Sequence, residues 1–499
     1  MPLSGSQTNA DAFATSDGLI GIRGLGANRQ AKQNYIVNKN FLSCILRPLT
    51  SSRVSFWYRS TLLNFTTHLK VFIMKSAFAI AALAGSAAAW PVAMEMDAIV
   101  KRQGGSGRKN TGGGHPNPTF NAQQQYVDVT DGGPNPFRSP GNRDLRGQCP
   151  GLNAAANHGF LPRNGLANIQ QTVDGLGKAY GMSPELAAGL AAIAILISGD
   201  IPSTRWSIGG GFPSSLPLLL SNPKGIAGSH SKYENDASIV RGDAYLNGGD
   251  VGVFQWASWN ALIESTNSGT DGLTMDKVTQ HADDLTTFSI ENNPYAFWGP
   301  FSGLVAPAAH NFVVNFMSNH TAEKPDGFLD EAILKSFFAV SGTGEGASGS
   351  NQGTYVHNRG QERIPLNWYR RNTADAYNLP DVFIDLLAGA QTNPNTLRIG
   401  GNTGTTNSFT GLDVADLTGG AFNGATLFQG NNLACFAFQA AMAGGIDQLD
   451  GVLSIVQGAL GPLTGAITNA VAGLSCPQLA ATNFNSQLFD AFPGAGYAN

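Results

Sequence analysis

The pair best placed to do chemistry in this chain is a cysteine followed at once by proline. It stands in Arg146-Gly147-Gln148-Cys149-Pro150-Gly151-Leu152-Asn153. Pro150 suits the first position of a helix, so Cys149 falls at or near the N-cap. There it faces free backbone amides, those of Gly151 and Leu152. Open amides and the positive end of the helix dipole both favour thiolate over thiol. A thiolate so placed is a nucleophile or a metal ligand; the alternative is a buried structural thiol. His158, in the following Asn157-His158-Gly159, reads either as a ligand or base or as a hydrogen-bonded scaffold residue.

A second group of oxygen-bearing residues lies further along. His230-Ser231-Lys232-Tyr233-Glu234-Asn235-Asp236-Ala237-Ser238 runs into Arg241-Gly242-Asp243. Taken alone, such a string of acids and small polar residues often just caps helices. Both groups together resemble the fungal haem-thiolate peroxidases, the family of chloroperoxidases and unspecific peroxygenases. The matching residues are Phe137-Arg138-Ser139-Pro140, the segment 146–153, Asn157-His158-Gly159-Phe160-Leu161-Pro162-Arg163 and the Glu234–Asp243 element. Gln148 stands where the family usually has proline.

The resemblance implies a haem b cofactor with Cys149 as the thiolate ligand of its iron and as a catalytic residue. Such ligation pushes electron density onto iron and favours O–O cleavage. It treats His158 as scaffold. It also implies a magnesium ion joining the second element to the haem. Glu234 would give a carboxylate, Ser238 a hydroxyl and Asn235 its backbone carbonyl, the oxygen ligands a hard cation takes. Tyr233 and Phe312 are expected to line the haem pocket.

The family's distal acid–base is where this chain departs. Peroxide cleavage needs a base that takes a proton from one oxygen and returns it to the other. Longer members use a glutamate oriented by an arginine; aligned on Phe312, those positions hold Ala309 and Ser302. Shorter members use a glutamate aided by a histidine, and the position of that histidine holds Asn235. His310 adjoins the lost acid and is the candidate base, although one residue along a helix turns a side chain by about 100°. The altered distal helix, with Trp298-Gly299-Pro300-Phe301 and Leu334-Lys335-Ser336-Phe337-Phe338, looks like a branch associated with fungal secondary metabolism. So do Gly360-Gln361-Glu362-Arg363-Ile364-Pro365, Asn367-Trp368-Tyr369-Arg370 and Ile399-Gly400-Gly401-Asn402.

The elements that must position these residues read as helices. Leu166, Ile169, Val173, Leu176 and Tyr180 recur at amphipathic spacing. Ser183-Pro184-Glu185 carries an N-cap, a first-turn proline and an acid at the positive dipole end. The helix it opens, Leu186 to Ser198, is apolar on nearly every side and belongs deep in the core. Further helices are expected at 255–267, 274–290, 306–320, 330–338 and 380–390. A last one spans 446–474, broken by Gly461-Pro462. Strand signals are few and short, and 341–360 reads as a surface loop. The expected fold class is all-α: one mainly helical domain with long loops, and by resemblance the haem between the cysteine turn and the distal helices.

Composition sets the outer limits. The chain has 499 residues, 42% of them apolar, which allows a large core. Thirty Lys and Arg against 34 Asp and Glu give a net charge of −4, against a nucleic-acid partner. No apolar run is long enough to span a membrane. Met74-Lys75-Ser76 and the apolar stretch after it have the form of a secretory signal peptide, here 74–93. Residues 1–73 then read as a gene-model extension and 94–102, ending in Lys101-Arg102, as a propeptide. The peroxidase domain is 103–499, and Asn319-His320-Thr321 is a glycosylation sequon. Of four cysteines, Cys44 lies in the extension. The resemblance implies a disulfide between Cys435 and Cys476.

The expectation is a secreted enzyme that uses hydrogen peroxide to oxidise or oxygenate a small organic substrate. The rivals are a specialised or slow oxidase of secondary metabolism and a haem-binding protein without turnover.

Overall fold

The computed structural model describes residues 119–499, apart from 419–420, 422–425, 428, 430, 448–452, 473–475, 477–487 and 497–499. The expected extension, signal peptide and propeptide lie outside the described residues. Among those described, helices dominate and the strands are only two or three residues long. After a single-turn helix α1 (Ala122–Gln125) come α2 (Pro150–Asn157), α3 (Ile169–Tyr180) and α4 (Pro184–Ser198). They are followed by α5 (Trp256–Asn267), α6 (Met275–Asn292), α7 (Ser302–Met317), α8 (Glu331–Phe337) and α9 (Leu379–Thr392). The short α10 (Val414–Leu417), α11 (Asn432–Asp447) and α12 (Leu453–Val471) complete the order. No described helix is long and apolar enough to cross a membrane.

Helix α4 is the centre of the core. Ser183 caps it, its hydroxyl accepting from the Leu186 amide, and Pro184 fills the first turn. Leu186, Ile193 and Ile195 are each at most 1% exposed. Each contributes roughly 1.5–3 kcal/mol of apolar burial. The helix packs against α3, α11 and α12, while α7 packs against α6 and α9.

Several boundaries differ from the sequence expectations. Leu166 is not helical: Leu166–Asn168 pairs antiparallel with Arg205–Ser207. Helix α3 starts only at Ile169, because Asn168 and Gln171 form a capping box there. The distal helix starts at Ser302 rather than 306 and carries Pro307 inside it. Likewise Gly461-Pro462 does not break α12. A helix-interior proline clashes with the carbonyl four residues back. In both helices that residue is glycine, Gly303 and Gly458, where the backbone adjusts most freely. Helix α11 was not legible, since it is apolar all round and shows no clear stripe.

Cys435 and Cys476 form a disulfide, with Cα atoms 5.3 Å apart across a separation of 41 residues. Closing a loop of that length stabilises by roughly 3–4 kcal/mol in the chain-entropy account. Replacing both cysteines by serine is expected to lower the urea midpoint and to raise the m-value, because the unfolded chain is less compact with the bridge than without it. Asn319 of the sequon is half-buried, and its side-chain oxygen accepts from the Tyr369 amide at 2.8 Å.

Candidate active site

Cys149 is the N-cap of α2, with Pro150 in the first turn. The amides of Leu152 and Gly151 bear on the sulfur as the sequence implied. Burial nevertheless pushes the free thiol's pKa up, against those amides and the Arg241 cation. The sulfur keeps accessible surface because it looks into an internal cavity.

A polar frame fixes the cysteine turn from behind. Asn153 joins the turn to the chain, accepting from the Gly147 amide at 3.0 Å and donating to the Gly147 carbonyl at 2.8 Å. Its amide group also donates to Glu362 Oε1 at 3.0 Å. Arg241 Nε donates to the carbonyl of Gln148, the residue before the cysteine, at 3.1 Å. Arg241 Nη2 lies 3.6 Å from Glu362 Oε1, a buried ion pair beneath the sulfur. Glu362 is 0% exposed, and burial pushes its carboxyl pKa up against the pull of Arg241. Its Oε2, like Oε1 of Gln148, is buried without a hydrogen-bond partner. His158 is scaffold: Nε2 accepts from the Ile364 amide at 3.1 Å, so Nδ1 donates to the Asn135 carbonyl at 2.8 Å.

The cavity has a volume of about 220 Å³. Its wall is almost wholly apolar, formed by Leu152, Leu176 and Leu190 with Phe301, Leu304, Val305, Ala309, Phe312, Phe316 and Phe383. A short polar strip of Glu234, Asn235, Ser238 and Arg241 interrupts it. The structure thus brings Cys149, Tyr233, Phe312, Glu234, Asn235 and Ser238 around one space.

His310 is not in that company. The distal helix turns Val305, Ala308, Ala309, Phe312 and Val313 to the cavity, and Ala309 is exposed to it. The His310 ring is 1% exposed and lies 6.1 Å from the ring of His281. Its Nδ1 donates to the Ala306 carbonyl at 3.0 Å, which leaves Nε2 as an acceptor with no partner. Burial, aided by His281, drives its pKa down to about 3. The candidate base is therefore placed beside the site rather than in it. His310→Gln is expected to leave peroxide turnover nearly unchanged, where losing a general base costs roughly 10²–10⁴-fold. Steady-state kinetics with saturating peroxide check this.

The two positions that would orient a distal acid are tied to each other. Asn235 Nδ2 donates to Ser302 Oγ at 2.9 Å. Ser302 Oγ also accepts from the Gly299 amide at 3.0 Å and donates to the Ser231 carbonyl at 2.9 Å. The serine hydroxyl is thereby fully used.

The polar strip is held from the outside. His230 Nδ1 lies 2.7 Å from Glu234 Oε2, and its Nε2 lies 3.1 Å from Asp236 Oδ1. Burial opposes a charge on His230, but the two carboxylates outweigh it and hold its pKa well above the ordinary value. Ser238 Oγ donates to the Asn235 carbonyl at 2.9 Å, so hydroxyl and carbonyl oxygens sit side by side next to the Glu234 carboxylate. Ser231 and Ala237 hold φ of 63° and 58°, strained for residues with a side chain. Asn293 bridges Asp236 and Asp243 at 2.9 and 3.0 Å and locks the loop. Carboxylate, hydroxyl and carbonyl oxygens suit a hard cation.

Residues 135–373 match the profile of "Peroxidase, family 2". The dothistromin biosynthesis peroxidase of Dothistroma septosporum is 37% identical over 382 residues, covering 75% of this chain and 87% of that protein. This chain belongs to the fungal haem-thiolate peroxidase family. An aromatic peroxidase of Fusarium equiseti is 35% identical over 393 residues, covering 75% of this chain and 86% of the relative. An aromatic peroxygenase of Cyclocybe aegerita is 29% identical over 231 residues, 45% of this chain and 60% of its own. As a member, this peroxidase is an oxidoreductase that acts on peroxide and oxidises organic substrates. Within the family frame, the Arg241–Glu362 pair is the feature that sequence reasoning missed. Glu362 stood in a recognised motif, but nothing in the order of residues paired it with Arg241.

Proposed function

We propose that this peroxidase holds haem b through the Cys149 thiolate and oxidises a flat aromatic substrate in the apolar cavity. The observation that carries it is the N-capping sulfur facing an apolar space wide enough to be walled by several helices. Tyr233 and Phe312 line that space as haem or substrate contacts. Bound haem supplies the redox chemistry of peroxide cleavage, and thiolate ligation favours it. The chain's own part is to hold the sulfur in place through Asn153 and Arg241, and to exclude water with the leucines and phenylalanines. Glu234, Ser238 and the Asn235 carbonyl are the proposed magnesium ligands.

The aromatic substrate class is supported by the apolar cavity wall and by the names of the relatives above, an aromatic peroxidase and an aromatic peroxygenase. The distal helix offers no acid or base to the cavity, so proton transfer there falls to water, to the substrate or to the polar strip at Glu234. That favours the reading of a slow, specialised oxidase over a broad peroxygenase. Secretion, through a signal peptide at 74–93, is part of the proposal. The test is Cys149→Ala. The purified variant is expected to lose the haem chromophore and peroxide-dependent oxidation together; a variant that keeps both contradicts the reading.

The buried histidines add a pH dependence. Burial drives His310 to about 3, and His320 and His357 each to about 4, all below the ordinary value near 6.5. The unfolded chain therefore takes up protons first as pH falls. The contributions of these three are fully present above about pH 6.5 and are lost as pH drops toward about 4, whereas that of His230, whose pKa is raised, is lost as pH rises. Melting temperatures of the wild type and of His310→Gln, compared across that window, check this: the difference between them shifts in favour of the variant as pH falls.

A further inference from the structure

We propose that this peroxidase also oxidises phenols too large for its cavity, by drawing electrons from a surface site through a chain of tyrosine and tryptophan rings. The inference rests on the proposed function above, which supplies the oxidant inside the cavity. It concerns the motif Asn367-Trp368-Tyr369, which the described site leaves unused.

The inner end of the chain is Tyr180. It lines the cavity with Cys149, and its hydroxyl donates to the carbonyl of Gly151, in the cysteine helix, at 2.6 Å. Its ring meets Trp368 edge-on with centroids 6.2 Å apart. Trp368 is 1% exposed, and its Nε1 donates to the Met317 carbonyl at 3.0 Å. Tyr369 is the next residue in the chain. Its ring lies 5.3 Å from that of Tyr126, which is 37% exposed. Phe120, 5.4 Å from Tyr369, widens this into an aromatic platform. Backbone pairing holds the outer end to the inner one: Tyr126 bridges Tyr369, and the Val127 amide donates to the Trp368 carbonyl at 3.1 Å.

Ring chemistry gives the chain a direction. Phenol and indole are the side chains most readily oxidised by one electron, and phenylalanine is not. Tyr233, another phenol on the cavity wall, has its ring against Phe301. Tyr180 points its proton at a carbonyl, a poor base, so an oxidised Tyr180 cannot settle by losing that proton. Tyr126 touches water and can. The oxidising equivalent therefore comes to rest at the surface, on a platform where a phenol can stack.

The balance closes with the established oxidant. One peroxide takes two electrons and two protons from two phenols, giving two waters and two phenoxyl radicals. The electrons travel along the rings; each phenol releases its proton to solvent, and protons enter the cavity with water. No other reactant is needed.

The experiment uses the holoenzyme, hydrogen peroxide and two probes: free phenol, and tyramine coupled to dextran, which cannot enter the cavity. Tyr126→Phe/Tyr369→Phe and, separately, Trp368→Phe are expected to lower oxidation of the dextran probe at least about tenfold. Oxidation of free phenol in the cavity is expected to change less than about twofold. Electron paramagnetic resonance after peroxide addition is expected to show a tyrosyl radical in the wild type that the double variant lacks. Wild-type enzyme that oxidises free phenol but not the dextran probe overturns the relay alone. So does an undiminished rate or an unchanged radical in both variants. A protein that binds no haem and oxidises neither probe overturns the proposed function as well.

Discussion

Ala309→Glu is expected to raise peroxide-dependent turnover by about 10²-fold, the low end of what a positioned acid–base contributes. Ala309 faces the cavity from the middle of α7, with Val305 before it and Phe312 after it on the same face. A carboxylate there enters the space where peroxide must lose and regain a proton. The gain stays at the low end because nothing orients the new acid. Ser302, two turns earlier, already spends its hydroxyl on Asn235, Gly299 and Ser231. The apolar wall also raises the pKa of the introduced carboxyl by desolvation. Its base form, needed to take the first proton, is present only above that raised value. The pH–rate profile of the variant should accordingly climb with pH through a step absent from the wild type. An unchanged rate across the whole range contradicts the account of the distal helix.

Breaking the ion pair under the sulfur is expected to cost stability and to shift the site's electronics with opposite signs. Arg241→Gln leaves the fully buried Glu362 without its cation, at a cost of roughly 3–5 kcal/mol. Glu362→Gln leaves Arg241 unpaired at a similar order of cost. The double variant Arg241→Gln/Glu362→Gln removes both charges and is expected to be more stable than either single one. Urea unfolding of the four proteins measures this coupling. The two charges also act on Cys149, the cation pulling its pKa down and the carboxylate pushing it up. Removing Glu362 therefore favours the sulfur's anion, weakens its donation and moves the haem reduction potential upward. Removing Arg241 moves it downward. Shifts of the same sign in both variants contradict the assignment.

What the order of residues revealed and what it hid divide along physical lines. Local signals were legible. Cys149-Pro150 announced a helix start, and the structure has the sulfur at the N-cap. Ser183-Pro184-Glu185 did the same for α4. Glu234, Asn235 and Ser238 lay close enough in sequence to be read as one group, and they line one strip of the cavity. Signals that depend on distant partners were hidden. Arg241 and Glu362 are neighbours only because Asn153 and the Gln148 carbonyl draw both to the cysteine turn. The proline at 462 misled because the helix-breaking rule takes no account of the glycine four residues earlier. His310 shows the limit of adjacency: the residue beside a cavity-facing alanine points elsewhere, as the turn per residue of a helix requires. The packing of α11 became visible only with the fold, whereas the Cys435–Cys476 disulfide was implied by the resemblance and is present.

One measurement bears most directly on the central assignment. The purified protein is reduced, exposed to carbon monoxide and its absorption spectrum recorded beside that of Cys149→His. A thiolate ligand at Cys149 predicts the long-wavelength carbonyl band of thiolate haems in the wild type and a histidine-type spectrum in the variant. A histidine-type spectrum from both proteins contradicts it.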